Sequence, residues 1–158
     1  MPQKSKYEFV KQPANVLTYQ LGLDLGLYNT KTSEIHILNP VAASIWSQLI
    51  SGRKPEEIAD SISVSFSEPS ADPKEVIRDV ENIIRFFSGK KLVEKAPRTK
   101  KETIAIVSEY SMSQLPISYF RPQVKTYSKN ELDELNRNYS STAVFCDLIA
   151  FNLNNESL

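Results

Sequence analysis

Residues 38–59 run Leu38-Asn39-Pro40-Val41-Ala42-Ala43-Ser44-Ile45-Trp46-Ser47-Gln48-Leu49-Ile50-Ser51-Gly52, then Arg53-Lys54-Pro55-Glu56-Glu57-Ile58-Ala59. Asn39 offers a side-chain oxygen to cap a helix, and Pro40 suits the first helical position, where no N–H is needed. Val41, Ala42, Ile45, Trp46, Leu49 and Ile50 then recur at spacings of three and four, which puts them on one apolar stripe. Trp46 repeats that stripe and is expected in the core. Gly52 is expected to end this first helix, and Pro55 with Glu56 and Glu57 opens a second.

Moving toward the C-terminus, the second helix carries Ile58, Ile62 and Phe66 inward at spacing four. Asp72-Pro73-Lys74-Glu75 repeats the start signal, and Val76, Val80, Ile83 and Phe87 mark a third helix to about Ser88. Gly89 is placed where a left-handed residue closes a helix, and Lys91-Leu92-Val93-Glu94 reads as a short closing strand. Moving toward the N-terminus, Ile35 and Ile37 alternate with polar residues over 34–38, and turn chemistry at Tyr28-Asn29-Thr30-Lys31-Thr32-Ser33 makes that stretch one arm of a hairpin. Leu17, Tyr19, Leu21, Leu23, Leu25 and Leu27 alternate at period two, which predicts one long arm with a single buried face. Tyr7 to Val10 is a further short strand. The fold class is therefore α+β: a winged helix-turn-helix, with a β-hairpin or small sheet plus a three-helix bundle, followed by an extended, partly ordered C-terminal tail.

The chain has 158 residues, 19 basic and 19 acidic, and its net charge of zero leaves no basic excess for a phosphate backbone. The balance holds on both sides of Ala96-Pro97-Arg98-Thr99-Lys100-Lys101: 12 of each sign in residues 1–96 and 7 of each in 97–158. At that run the hydrophobic period breaks, so it reads as a boundary. No apolar run approaches the ~18 residues a membrane span needs, and MPQKSKYEFV lacks a signal peptide's apolar middle. The expectation is a cytoplasmic protein with no membrane partner. A single cysteine, Cys146, and a single histidine, His36, give neither an internal disulfide nor a zinc site. No paired catalytic groups or Gly-rich phosphate loop are present, so no enzyme activity and no cofactor are expected.

Leu38, Asn39, Ala42, Ile45, Trp46, Leu49, Gly52 and Ile58, in order and spacing, resemble the "LN-x-x-A-x-x-IW-x-L-x-x-G" and "T-x-x-EI" pattern of the PqqD family. Val76 to Phe87, closed by Gly89-Lys90-Lys91-Leu92-Val93, is similar to the family's last helix and "G-L-V/I" ending. The likeness covers residues 7–95; Pro55 departs from the family's usual hydroxyl residue but starts the same helix. The resemblance implies a recognition element of RiPP biosynthesis (ribosomally made, post-translationally modified peptides). Such a module is non-catalytic. It binds a precursor's leader peptide and presents it to a modifying enzyme, often a radical SAM protein. The family's leader lies as an added strand on the hairpin edge, in a groove walled by the third helix. Carried over, the peptide-binding residues are Glu34, Ile35, His36, Ile37 and Leu38 on the edge, with Ile77, Arg78, Glu81, Ile84 and Arg85 on the helix. An unpaired strand edge satisfies any extended peptide, and apolar pockets beside it choose which. Each of these residues also has a plain reading. The alternating Leu and Ile are sheet core, Arg78 and Arg85 are solvated charges, and His36 is an exposed strand residue.

Beyond residues 96–116, read as a linker with a short strand at 103–107, residues 117–138 are similar to a leader. Tyr119, Phe120, Pro122, Val124 and Tyr127 form an extended stretch. Ser128 with Glu131 is a capping box that starts a helix bearing Leu132 and Leu135. Residues 139–158 then stand where a core peptide would, with Phe145-Cys146-Asp147 as candidate modified residues. The other reading makes 144–151 an apolar segment docked on the domain, with Cys146 a small buried hydrophobe. A linker of some 20 residues reaches roughly 25 Å as a coil. The tail can therefore serve its own chain or, by exchange, a partner copy in a homodimer. A winged-helix DNA-binding regulator is the competing reading, favoured by topology and opposed by charge.

Overall fold

The computed structural model describes residues 10–65, 72–95 and 119–138. Residues 7–9 of the strand expected at 7–10, Phe66, the linker and its strand, Ile117, Ser118 and the whole of 139–158 with Phe145, Cys146 and Asp147 lie outside the described residues. In chain order the elements are β1 (Val10–Lys11), β2 (Val16–Leu21), β3 (Asp24–Asn29), β4 (Glu34–Leu38), α1 (Pro40–Ile50), α2 (Pro55–Ser65), α3 (Pro73–Gly89), β5 (Glu94–Lys95), β6 (Val124–Tyr127) and α4 (Lys129–Asn138). A four-stranded antiparallel sheet runs β2-β3-β4-β6, and β1 pairs with β5 in a separate two-stranded ladder. The three helices α1, α2 and α3 pack on one another beneath the larger sheet. The fold is the expected α+β arrangement of a small antiparallel sheet and a helical bundle.

The helix starts follow the chemistry of their caps. Asn39 Oδ1 accepts the Ala42 N–H at 2.9 Å, and Asp72 Oδ1 accepts that of Lys74 at 2.9 Å, each with a proline next in the chain. The end of α1 is a paired closure in which Gly52 N–H donates to Leu49 and Arg53 N–H to Gln48, with Gly52 at φ 87°. At the end of α3 the same pairing joins Lys91 to Ser88 and Leu92 to Phe87. Here the left-handed residue is Lys91, at φ 55°, and not Gly89 as the sequence suggests. Gly89 is the last helical residue. The closure throws Leu92 and Val93 into the core before any strand begins, so β5 forms at 94–95 rather than over 91–94.

The core holds Trp46, Phe87, Leu27, Leu38, Ile45, Ile58, Ile62, Val76 and Leu92, all essentially inaccessible. Trp46 is where its stripe puts it. The N-terminal alternation folds differently from the expected single arm. Gly22, at φ 65°, and Leu23 make a two-residue turn that pairs Leu21 with Asp24. Such a turn reverses parity, so odd residues of β2 share a face with even residues of β3. Leu25 and Leu27 therefore face the helices. Leu17 and Tyr19 turn to the opposite face and stand 42% and 51% exposed, and Leu23 at the turn is 59% exposed.

Candidate strand-binding groove

β4 offers its outer edge beside α3, and the described C-terminal segment lies along it. β6 pairs antiparallel with β4 in the register Ile35–Tyr127, His36–Thr126, Ile37–Lys125, Leu38–Val124. Every residue predicted for the edge, Glu34 to Leu38, is thus in β4, and all but Glu34 face a β6 partner. The pleat sorts the side chains. Val124, with Tyr119 and Phe120, packs against the main core together with Ile77, Ile84 and Phe86 of α3. Tyr127 and Leu132 pack on the other face against Ile37, alongside Leu21 and Ile35. Pro122 is half-buried.

On α3 the structure separates the predicted wall residues. Ile77 and Ile84 are half-buried against the core, Glu81 is half-buried, and Arg78 and Arg85 are exposed. The polar work falls on a residue the sequence reading missed. Asp79, its side chain 12% exposed, accepts the Tyr119 hydroxyl at 2.7 Å and lies 3.8 Å from Arg121 Nε. Burial, then the hydrogen bond to this carboxylate, pushes the Tyr119 phenol far above its ordinary pKa, so the hydroxyl stays a donor.

Asn39 was also missed in this role. Besides capping α1, it donates its Nδ2–H to the Arg121 carbonyl at 2.8 Å and its backbone N–H to the Gln123 carbonyl at 3.0 Å. An N-cap uses only the amide oxygen, which leaves an N–H₂ donor aimed at whatever lies beside the helix start. That spare donor is the signal that could have found it.

His36 contradicts its reading as an exposed strand residue: it is fully buried. The parity set by Leu27 opposite His36 turns its ring inward, edge-on to Phe86 with centroids 5.8 Å apart. Nδ1 lies 2.9 Å from Thr126 Oγ1. Nε2 lies 3.5 Å from Glu34 Oε2 without hydrogen-bond geometry, a pair that carries opposite charges only when the ring is protonated, and Lys90 Nζ reaches Glu34 Oε1 at 3.3 Å. Burial lowers the His36 pKa, Glu34 opposes that, and Lys90 adds to it.

The segment after β6 is held by its own cap. Ser128 N–H donates to Glu131 Oε2 at 2.7 Å and Glu131 N–H to Ser128 Oγ at 3.3 Å, the reciprocal pair the sequence predicts. These bonds lower the Glu131 pKa. α4 then carries Leu132 onto Ile37; the side chain of Leu135 lies outside the described residues. No helix among the described residues is long and apolar enough to cross a membrane.

Comparison with known proteins matches residues 26–93 to the family of coenzyme PQQ synthesis protein D (PqqD). Among solved structures, the chain is similar to one described as TbiB1 in complex with the TbiA(beta) leader peptide. That match is 31% identical, covers 55% of this chain and 98% of that one, and has a TM-score of 0.48. It is also similar to a lasso peptide synthetase B1 complexed with the leader peptide, at 17% identity, covering 54% and 98%, with a TM-score of 0.49. No curated protein sequence matches it.

Proposed function

Since residues 26–93 of this chain belong to the PqqD family, we propose that the protein is a RiPP recognition element that carries its own leader-like segment, residues 117–138, in the same chain. The observation that carries this reading is the pairing of β6 with β4, with Tyr119, Phe120 and Val124 seated beside α3. That is recognition by strand addition: the main chain supplies affinity, and alternate side chains supply selectivity. The work of the site is binding. Its polar groups, Asp79, Asn39 and His36, each hold a group of the C-terminal segment.

In this reading Glu34 to Leu38, with Ile77 and Ile84, form the peptide site, and Arg78, Glu81 and Arg85 border it. Residues 139–158 follow the leader-like segment as the stretch to be modified, with Phe145, Cys146 and Asp147 the candidate targets. The partner is a RiPP-modifying enzyme of the radical SAM kind, and the setting is the cytoplasm. The tether favours docking within one chain by raising the effective concentration of the tail, and a tail-exchanged homodimer is the other arrangement. The test is mass spectrometry of the full chain co-expressed with the modifying enzyme encoded beside it. A mass change confined to residues 139–158 is expected. An unmodified tail, with that enzyme active on another peptide, would overturn the fused-substrate part of the reading.

A further inference from the structure

The His36 ring is buried, its Nε2 has no hydrogen bond, and its Nδ1 meets Thr126, so Thr126 alone satisfies the ring. A neutral imidazole carries one N–H and one acceptor nitrogen. The Glu34 carboxylate 3.5 Å from Nε2 favours the proton there, which leaves Nδ1 as the acceptor and the Thr126 hydroxyl as the donor. A side chain without a hydroxyl at this position would leave a buried acceptor unpaired.

This contact also separates registers that apolar packing cannot. A slip of one residue would bring Lys125 or Tyr127 opposite His36 and turn Val124 away from the core. A slip of two keeps the faces and brings either Val124 or Ser128 opposite His36. Val124 has no donor. Placing Ser128 there would put Lys129, the first residue of α4, opposite Ile35, so that register would unwind the start of the helix and its cap. Buried polar sites reject a partner lacking the matching group far more strongly than apolar pockets reject a changed methylene.

We propose that His36 is the specificity-determining residue of the groove: it requires a serine or threonine at the place of Thr126, two residues after the apolar side chain seated where Val124 is, and so fixes the register of the docked strand. The inference rests on the reading of residues 117–138 as the docked leader-like segment, and it names the class of peptide the groove takes. Strands with the same apolar residues but no hydroxyl at that place are discriminated against.

The experiment compares hydrogen exchange in the full chain, wild type, Thr126→Val and Thr126→Ser, with ¹⁵N shifts of the His36 ring. Thr126→Val preserves shape and removes the donor, and the amides that cross the β4–β6 seam, those of Ile35, Ile37, Lys125 and Tyr127, should exchange about tenfold faster or more, those of α1 staying as they were. Thr126→Ser should stay near wild type. The wild-type ring should show Nε2 protonated and Nδ1 free of hydrogen, with Nδ1 shifting in Thr126→Val. If the valine variant loses protection everywhere, the pair His36→Leu with Thr126→Val decides: recovery is expected, because no acceptor is left unpaired, and no recovery overturns the proposal. Wild-type protection in Thr126→Val also overturns it. Absence of protection at Ile35, Ile37, Lys125 and Tyr127 in the wild type would instead overturn the docking on which it rests.

Discussion

The Tyr119 hydroxyl donates to Asp79 Oδ2 at 2.7 Å, and through this bond a largely buried carboxylate on α3 anchors the segment that leads into β6. Hydrogen bonds to a charged acceptor are worth about 1.5–3 kcal/mol. Tyr119→Phe should therefore raise hydrogen exchange at Lys125 and Tyr127, whose amides face β4, by roughly tenfold or more and leave the α1 and α2 amides unchanged. Equal exchange in variant and wild type would show that the bond does not hold the strand.

Asn39 joins two tasks, and one substitution separates them. Asn39→Asp keeps the oxygen that caps α1 and loses the N–H that holds the Arg121 carbonyl. Thermal stability should stay within about 0.5 kcal/mol while tail protection falls, whereas Asn39→Ala should lose both, with about 1 kcal/mol from the cap. Chemical denaturation with exchange on the same samples separates the two effects.

Much of this arrangement was legible in the sequence because local chemistry and tertiary packing agree. Asn39-Pro40, Asp72-Pro73 and Ser128 with Glu131 are self-contained cap signals, and the structure uses each one. The errors arise where a local pattern has two geometric solutions. Alternation from Leu17 to Leu27 is the same string whether the strand is straight or folded at Gly22, but the fold reverses which leucines are buried. That reversal also decides His36, whose burial depends on its cross-strand neighbour Leu27 and not on its own residue type. The roles of Asp79 and Asn39 were illegible for another reason: each depends on a partner more than 39 positions away in the chain.

Trp46 is 1% exposed and fills the space between the helices and the sheet. Trp46→Ala should cost about 3–5 kcal/mol in denaturant unfolding, the cavity adding to the lost transfer energy. A loss under about 1 kcal/mol would mean the indole is not a core group.

The closure of α3 makes two stabilising changes available. Gly89 is helical and a Cβ there meets nothing within 4 Å, so Gly89→Ala should add roughly 0.5–1 kcal/mol. Lys91 holds a positive φ, so Lys91→Gly should relieve about 1 kcal/mol. If Gly89→Ala destabilises instead, the left-handed position has been placed at the wrong residue.

Burial lowers the His36 pKa, so the folded chain binds less proton there than the unfolded chain does. Its contribution is therefore fully present above the ordinary histidine value of about 6.5 and is lost as pH falls from there toward the lowered value. Glu34 on β4 tempers the loss, and Lys90 after α3 deepens it. Unfolding midpoints from pH 8 to pH 5 should fall more in wild type than in His36→Leu. Parallel curves would assign the acid sensitivity to other groups.

The central claim is that β4 holds the chain's own leader-like strand in one register. Cross-strand NOEs in the isotope-labelled full chain test it most directly. The account predicts backbone contacts linking His36 with Thr126 and Leu38 with Val124, unchanged on dilution if each chain holds its own tail. Contacts in another register, or β4 amides that exchange as an open edge with no contact to residues 124–127, would contradict it.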